Sequence, residues 1–106
     1  MKYKAILLDL DGTVSSYATS AMPQIPSLKV VSSLQLASQH MHVGLATSRP
    51  IVKIKTILKF LKLKGYSILH NGAQIINSDT TETVWKKPIS PSISRKLYRI
   101  SQNHKF

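Results

Sequence analysis

Cysteine is absent from the 106-residue sequence, and acidic residues are scarce. Without cysteine the chain forms no disulfide and offers no thiolate ligand to a metal, which agrees with a reducing, cytoplasmic location. Four acidic residues stand against fifteen lysines and arginines, a formal net charge of +11. A surplus of this size attracts anions, either nucleic acid or a phosphorylated small molecule. No apolar run approaches the roughly 20 residues of a membrane span, so we expect no membrane partner.

Two of the four acidic residues lie in one short segment, residues 5–14 (AILLDLDGTV). Its apolar start is too short for a helix and ends at a glycine turn, which predicts a fully buried β-strand. Asp9 and Asp11 follow at the carboxyl end of this strand, where open α/β sheets bind ligands, and would point the same way. Because two neighbouring carboxylates favour a divalent cation, the residues indicate Mg²⁺ and metal-assisted phosphoryl chemistry with a carboxylate nucleophile.

The segment Asp9-Leu10-Asp11-Gly12-Thr13, behind an apolar strand, resembles the first motif of the haloacid dehalogenase (HAD) phosphohydrolases. The resemblance implies that Asp9 is phosphorylated during catalysis and that Asp11 acts as general acid and base. It also implies that Asp9 and the main-chain carbonyl of Asp11 bind Mg²⁺, while Leu10, Gly12 and Thr13 contact the substrate phosphate. The alternative is a strand followed by an Asp-Gly turn, since this pair marks many turns.

A helix and a second strand are predicted next. The helix begins at Pro26-Ser27 and carries an apolar stripe of Leu28, Val31, Leu34 and Ala37, and residues 41–46 form the strand. A right-handed strand–helix–strand unit then brings the following loop to the sheet edge of Asp9. Between them, residues 15–25 are predicted to form a polar loop.

The loop after the second strand carries Thr47, Ser48 and Arg49, whose hydroxyl, amide and guanidinium groups suit a phosphate. Pro50 begins a helix whose N-terminal amides also favour an anion. Residues 45–50 (LATSRP) are similar to the second HAD motif of the Cof-type, type IIB branch, with Ser48 in place of the usual glycine. The resemblance implies that Thr47 supplies the family's phosphate-binding hydroxyl, and Ser48 and Arg49 are further candidate phosphate ligands. The alternative is an ordinary strand-to-helix loop with a solvated arginine.

A third strand is predicted at residues 66–70, after a helix over 51–63 that ends at Gly65. Asn71-Gly72-Ala73 follows and is similar to an element that lines the site in Cof-type HAD proteins, which implies ligand contacts from Asn71 and Gly72. A simple Asn-Gly turn is the alternative, and the two are compatible. Residues 74–76 and 82–85 then predict an antiparallel pair.

The predicted fold is α/β: a Rossmann-like HAD core half with three parallel strands and crossover helices, a β-hairpin and the start of a cap helix. Residues 1–87 would form the N-terminal part of the core domain, and residues 88–106 the truncated start of the cap domain. A later lysine and a late acidic pair of the family pattern have no counterpart in the sequence. The first strand, central in the family, would here be an exposed apolar edge through which copies could self-associate.

These expectations combine into a Mg²⁺-dependent phosphohydrolase of small phosphomonoesters, sugar phosphates in particular, that forms an aspartyl-phosphate. The chain itself is predicted to be an incomplete fragment with little or no turnover. A HAD-type phosphomutase is one alternative. A basic nucleic-acid-binding module on a degenerate HAD scaffold is the other, with Tyr98 among Arg95, Lys96 and Arg99 as its candidate surface.

Overall fold

The computed structural model describes residues 2–16 and 25–104, so most of the predicted polar loop 15–25 lies outside the described residues. The described part confirms a mixed α/β fold. Its elements, in chain order, are β1 (Ala5–Leu8), α1 (Leu28–Ser38), β2 (His42–Leu45), α2 (Ile51–Leu61), β3 (Tyr66–Leu69), a 3-10 turn (His70–Gly72), β4 (Gln74–Asn77), β5 (Thr83–Lys86) and α3 (Pro91–Asn103).

The strands lie side by side in chain order. β1 pairs with β2 in parallel, with Ile6 opposite Val43. A parallel bridge between Ala46 and Ile68 joins β2 to β3. β3 pairs with β4, and β4 with β5, both antiparallel. The carboxyl ends of β1, β2 and β3 therefore meet at one edge of the sheet, as the motif spacing predicts.

The close contact between β2 and β3 depends on two small residues. A Cβ atom at Gly44 would overlap the main-chain carbonyl oxygen of Tyr66, so only glycine fits there. The fully buried Ser67 hydroxyl accepts a hydrogen bond from the Leu45 N–H at 2.9 Å and forms another with the Ser78 hydroxyl at 2.6 Å. A side-chain oxygen thus satisfies a main-chain donor of the neighbouring strand, because buried N–H groups need a partner.

We expect Ser67→Ala to lower the free energy of unfolding by about 1–3 kcal/mol, because it removes the buried partner of the Leu45 N–H and the Ser78 hydroxyl. Chemical denaturation measures the change. Ser33→Ala is the matched control: the Ser33 hydroxyl is exposed and donates to the Lys29 carbonyl at 2.8 Å, so its loss should change stability by at most about 0.5 kcal/mol. Equal losses in the two variants would contradict a special role for Ser67.

The core lies between the strands and helices α1 and α2, and it corrects one predicted stripe. Ser27 caps α1 by accepting the Val30 N–H at 3.3 Å, which confirms the predicted start of the helix. The residues of α1 that pack against the core are Val30, Val31, Leu34 and Ala37. Leu28 is 84% exposed, so its place in the predicted inner stripe is wrong. The buried face is turned toward Val30, which the three-residue spacing omitted.

Helix α2 ends earlier than predicted. Ile54, Ile57, Leu58 and Leu61 are buried, as an amphipathic helix requires. Lys62 adopts a left-handed conformation (φ 52°) and its N–H donates to the Leu58 carbonyl at 3.0 Å. The prediction that Gly65 ends this helix is therefore wrong, since a lysine takes the left-handed position that glycine usually fills.

Strand β1 is not the fully buried strand predicted from its apolar sequence. Ile6 is 39% and Leu7 52% exposed, and only Leu8 packs against the core. The reason is its position, because β1 has a neighbouring strand on one side only in the described part of the chain. The predicted exposed apolar edge is thus present in the structure.

Helix α3 follows the hairpin with Ser90 as its N-cap, and its residues are largely exposed. Ile93, Leu97 and Ile100 share one side, as predicted, and are 44–53% exposed. Among residues 2–16 and 25–104, none of the helices combines the length and the hydropathy that crossing a bilayer demands.

Candidate functional site

The three loops at the carboxyl ends of the parallel strands form a cleft of about 320 Å³. Asp9 lines it from the loop after β1, Thr47 and Ser48 from the loop after β2, and Asn71 and Gly72 from the loop after β3. A larger cleft of about 600 Å³ lies near the carboxyl end of α2, among lysines and the β4–β5 turn. It contains none of the residues singled out by the motifs, so we assign the smaller cleft as the candidate site.

A tight turn after β1 separates the two predicted carboxylates. The Leu10 carbonyl accepts hydrogen bonds from the N–H groups of Thr13, Val14 and Ser15 at 3.0–3.2 Å. Gly12 takes a positive φ of 81°, which glycine adopts without strain. This turn leaves Asp9 exposed at the cleft. Asp11 is not among the described residues that line the cleft.

Leu10, Gly12 and Thr13, the predicted phosphate contacts of this turn, differ in which of their groups are accessible. The Leu10 side chain is fully buried in the core, so only its main chain is available at the site. Its N–H donates to Asp9 Oδ1 at 2.9 Å, which orients the carboxylate. Gly12 and Thr13 are exposed on the turn. The roles of all three in binding phosphate remain predictions.

Thr47 is the best fixed residue of the cleft. It is 6% exposed, and its N–H donates to the Ile68 carbonyl at 2.9 Å while its carbonyl accepts from the Asn71 N–H at 3.3 Å. Its Oγ1 accepts the Arg49 N–H at 3.1 Å. A hydroxyl that accepts one hydrogen bond can still donate its own hydrogen, so Thr47 is able to bond an anion in the cleft.

The loop after β3 turns the chain through three consecutive positive φ angles, at His70 (52°), Asn71 (55°) and Gly72 (104°). Glycine tolerates this region, and asparagine and histidine are enriched there among the other residues. Such backbone conformations are concentrated at functional sites. The Asn-Gly pair signalled a turn in the sequence, but nothing in the residue pattern indicated the left-handed conformation of His70.

Asp11 and Arg49 form a bidentate ion pair that the residue pattern did not predict. Arg49 Nε donates to Asp11 Oδ2 at 2.7 Å, and Nη2 donates to Oδ1 at 2.9 Å. The side chains are 26% and 18% exposed for Asp11 and Arg49, respectively. Both oxygens of the carboxylate are therefore engaged. The sequence did contain a signal for this pair: Asp11 follows β1 and Arg49 follows β2, and adjacent parallel strands bring the residues after them to the same edge of the sheet.

The ion pair also changes the protonation equilibrium of Arg49. The hydrogen bond to Asp11 is the largest effect and raises the pKa of Arg49, burial lowers it, and the charge of Asp11 raises it further. The raised pKa of Arg49 contributes to the free energy of unfolding. This contribution is fully present at neutral pH, and it is lost only as the pH rises through the folded-state pKa of Arg49 under strongly alkaline conditions. Arg49 thus keeps its charge over the physiological range.

Only Asp9 and Asp11 supply carboxylates at this edge, and the described residues contain no group of three side chains suited to a metal ion. Mg²⁺ is commonly held by one or two carboxylates, several waters and substrate oxygens. An exposed Asp9 carboxylate with one hydrogen-bonded oxygen fits that kind of shell, although as a small part of it.

The family model of the haloacid dehalogenase-like hydrolases matches residues 6–106. The chain belongs to this family. The resemblance stated from the first aspartate motif is therefore confirmed, and the chain is a member of a hydrolase family. No match was found among curated proteins.

Solved structures of the haloacid dehalogenase superfamily share the fold. A haloacid dehalogenase-like hydrolase from Bacteroides thetaiotaomicron has a TM-score of 0.77 and 26% identity, over 96% of this chain and 38% of its own. One from B. subtilis has a TM-score of 0.74 and 24% identity, over 95% and 34%. A second B. thetaiotaomicron protein, analysed among the phosphatases of the superfamily, gives 0.74 and 22%, over 94% and 35%. The chain thus spans 34–38% of the length of these relatives.

Proposed function

We propose that this chain carries the nucleophile of a phosphohydrolase that acts on small phosphomonoesters, sugar phosphates in particular. The observation that carries the proposal is that Asp9 and Thr47, which come from separate motifs, line one cleft. A carboxylate nucleophile and a phosphate-binding hydroxyl must border the same cleft for one phosphoryl group to contact both. The hydrolase family and the phosphatase title of one structural relative support the same activity.

The proposed reaction has two steps. A carboxylate oxygen of Asp9 attacks phosphorus, and the bond to the leaving oxygen breaks. Asp11 in its acid form protonates that oxygen, so its bidentate ion pair with Arg49 must open before this step. Asp11 then removes a proton from water, which attacks the aspartyl-phosphate, releases inorganic phosphate and restores the Asp9 carboxylate. The Thr47 hydroxyl and the Arg49 guanidinium would bond phosphoryl oxygens and offset their charge.

The same proposal includes Mg²⁺ as the cofactor. Asp9 and the main-chain carbonyl of Asp11 would hold it, and a bound Mg²⁺ would neutralise part of the phosphoryl charge. Since the chain spans 38% of the length of its B. thetaiotaomicron relative, we propose that a complete site needs further residues and that this chain alone turns over little or no substrate. A cytoplasmic location remains part of the proposal.

Phosphate binding tests the cleft without requiring turnover. We expect inorganic phosphate to shift the NMR amide signals of Thr47, Ser48 and Asn71, and Thr47→Val to weaken binding at least about tenfold, because one hydrogen bond to a charged group is worth about 1.5–3 kcal/mol. Thr83→Val is the matched control, because the Thr83 hydroxyl is exposed and bonds Gln74 Nε2 at 2.9 Å away from the cleft. Equal weakening in both variants, or shifts confined to other loops, would contradict the proposed site.

Turnover is the second test. A phosphatase assay with and without Mg²⁺ is expected to give little or no hydrolysis by this chain, and none by Asp9→Asn. Strong Mg²⁺-dependent hydrolysis that Asp9→Asn abolishes would confirm the chemistry and refute the incompleteness. With a sugar phosphate as substrate, product analysis separates hydrolysis from the transfer that a phosphomutase would catalyse.

A further inference from the structure

The cleft of about 600 Å³ lies at the end of the sheet opposite to the candidate site. Helix α2 begins just after the loop of Thr47 and ends at Leu61, beside this cleft. β4 runs antiparallel to β3, so the turn between β4 and β5 lies at the same far end. None of the described residues that line the cleft comes from β1 or from the loops of the candidate site. The two cavities are therefore separate.

Four lysines give the larger cavity its charge, and we call it the lysine cleft: Lys55, Lys59, Lys62 and Lys64. All four are exposed, and none of them forms an ion pair with a carboxylate among the described residues. Asp79 is the one acidic residue in the described lining, so a local surplus of three positive charges remains. Because charges of one sign around a concave surface concentrate the field, anions are attracted into this cleft.

The lysines are spread along the cleft and are not gathered at one point. Lys55 and Lys59 lie four residues apart on one face of α2, about 6 Å apart along its axis. Lys62 follows at the end of the helix, and Lys64 lies just before β3. A single phosphate can contact only part of such a row, whereas a chain of phosphates can form charge-assisted contacts with several ammonium groups at once.

The turn between β4 and β5 forms another wall of the lysine cleft and is held by its own hydrogen bonds. Asn77 Oδ1 accepts the N–H groups of Asp79 and Thr80 at 2.9 and 3.1 Å, and the Asn77 carbonyl accepts the Thr81 N–H at 2.8 Å. Thr81 has a φ of 64°, a left-handed conformation that is rare for a β-branched residue. Such conformations are concentrated at functional sites, including ligand clamps. The hydroxyls of Thr80 and Thr81 are able to donate to an anion.

The shape and lining of the lysine cleft favour a small ligand over a nucleic acid. Its volume is within the range of small-molecule sites, and its lining includes the buried Leu58 and Leu63. Proteins that bind single-stranded nucleic acid stack the bases on aromatic side chains, and none of the described residues of this lining is aromatic. The features on which the ligand choice rests are thus several separated cations, hydroxyls and a concave shape.

We propose that the lysine cleft binds a small molecule that carries a chain of phosphate groups, an oligophosphate. The ammonium groups of Lys55, Lys59 and Lys62 contact successive phosphates, and the hydroxyls of Thr80 and Thr81 donate to their oxygens. A free oligophosphate and the phosphate chain of a nucleoside triphosphate share this chemistry. The inference goes beyond the proposed hydrolysis, because it concerns a second ligand at the other end of the sheet.

Inorganic triphosphate is the probe, and inorganic phosphate is its control. In an NMR titration we expect triphosphate to shift the amide signals of Lys62, Lys64 and Thr81, and to bind there at least about tenfold more tightly than phosphate, because it makes several linked contacts. Added salt should weaken this binding. Adenosine triphosphate distinguishes the two sources of the ligand: tighter binding than triphosphate assigns a nucleoside triphosphate, and equal or weaker binding assigns a free oligophosphate.

Two double variants separate the lysine cleft from general attraction. Lys55→Gln with Lys59→Gln, and Lys29→Gln with Lys96→Gln, each remove two exposed helical lysines and lower the net charge equally, but Lys29 lies on α1 and Lys96 on α3. We expect the first pair to weaken triphosphate binding at least about tenfold and the second pair at most about twofold. Circular dichroism checks that both fold. Thr47→Val should leave the binding of triphosphate at the lysine cleft unchanged.

Three results would overturn the proposal. The first is unshifted amide signals of Lys62, Lys64 and Thr81 at saturating triphosphate, with or without shifts in the loops of the candidate site. The second is equal weakening by the two double variants. The third is a thymidine oligonucleotide of similar charge that binds the lysine cleft more tightly than triphosphate, which would assign the cleft to nucleic acid. None of these outcomes depends on phosphate in the candidate site or on hydrolysis, so the lysine cleft and the proposed function succeed or fail separately.

Discussion

Asp11→Ala is expected to strengthen the binding of inorganic phosphate about tenfold. In the structure both carboxylate oxygens of Asp11 hold the Arg49 guanidinium, at 2.7 and 2.9 Å. A phosphate in the neighbouring cleft must compete with this bidentate pair for Arg49, and removal of Asp11 ends that competition. A coupling free energy of about 1–3 kcal/mol between two binding events changes the affinity by about five- to 150-fold, and the expected tenfold gain lies in this range.

A double-mutant cycle separates this competition from simple repulsion between Asp11 and phosphate. Affinity is measured by calorimetric titration of the wild type, Asp11→Ala, Arg49→Gln and the double variant. We expect the gain from Asp11→Ala to disappear when residue 49 is glutamine. Asp79→Ala removes the same charge from the exposed β4–β5 turn and should leave the affinity nearly unchanged. An equal gain from Asp11→Ala in both backgrounds would show that charge alone explains it.

Gly44→Ala is expected to destabilise the fold by about 3 kcal/mol or more, the upper range for overpacking in a core. The added Cβ overlaps the main-chain carbonyl oxygen of Tyr66, and a main-chain atom cannot rotate away as a side chain does. β2 and β3 must then separate. That movement also disturbs the hydrogen bond from the Asn71 N–H to the Thr47 carbonyl, so we expect phosphate binding to weaken in the folded fraction.

Gly65→Ala is the matched control, because a glycine-to-alanine change lowers the conformational entropy of the unfolded chain equally at either position. The nearest atom to a Cβ at Gly65 is the Val43 carbonyl oxygen at 3.0 Å, a tight contact that a small shift relieves. We expect a loss of about 1 kcal/mol or less, measured by urea denaturation. If the two variants unfold at the same denaturant concentration, the close approach at Gly44 is not what limits the spacing of β2 and β3.

The order and type of most elements follow from local pattern. Apolar runs bounded by turn residues marked the strands, and the Ser27 cap and the core residues of α2 marked the helices. These signals are local, because a helix or a strand repeats its buried positions at a fixed period. Leu28 shows the limit of that argument. A spacing of three residues fits several faces of a helix, and only packing decides which of them is buried.

The sequence by itself determined the family, because the aspartate motif follows an apolar strand. It also determined the candidate site residues, because the aspartate motif and the loops with Thr47 and Asn71 all follow predicted strands. Tertiary structure decided how these residues are used. It buried the Leu10 side chain, joined Asp11 to Arg49 and, among the described residues, gave β1 a neighbouring strand on one side only. Those outcomes depend on contacts between residues 38 positions apart and on which strands are neighbours, information that a local pattern does not contain.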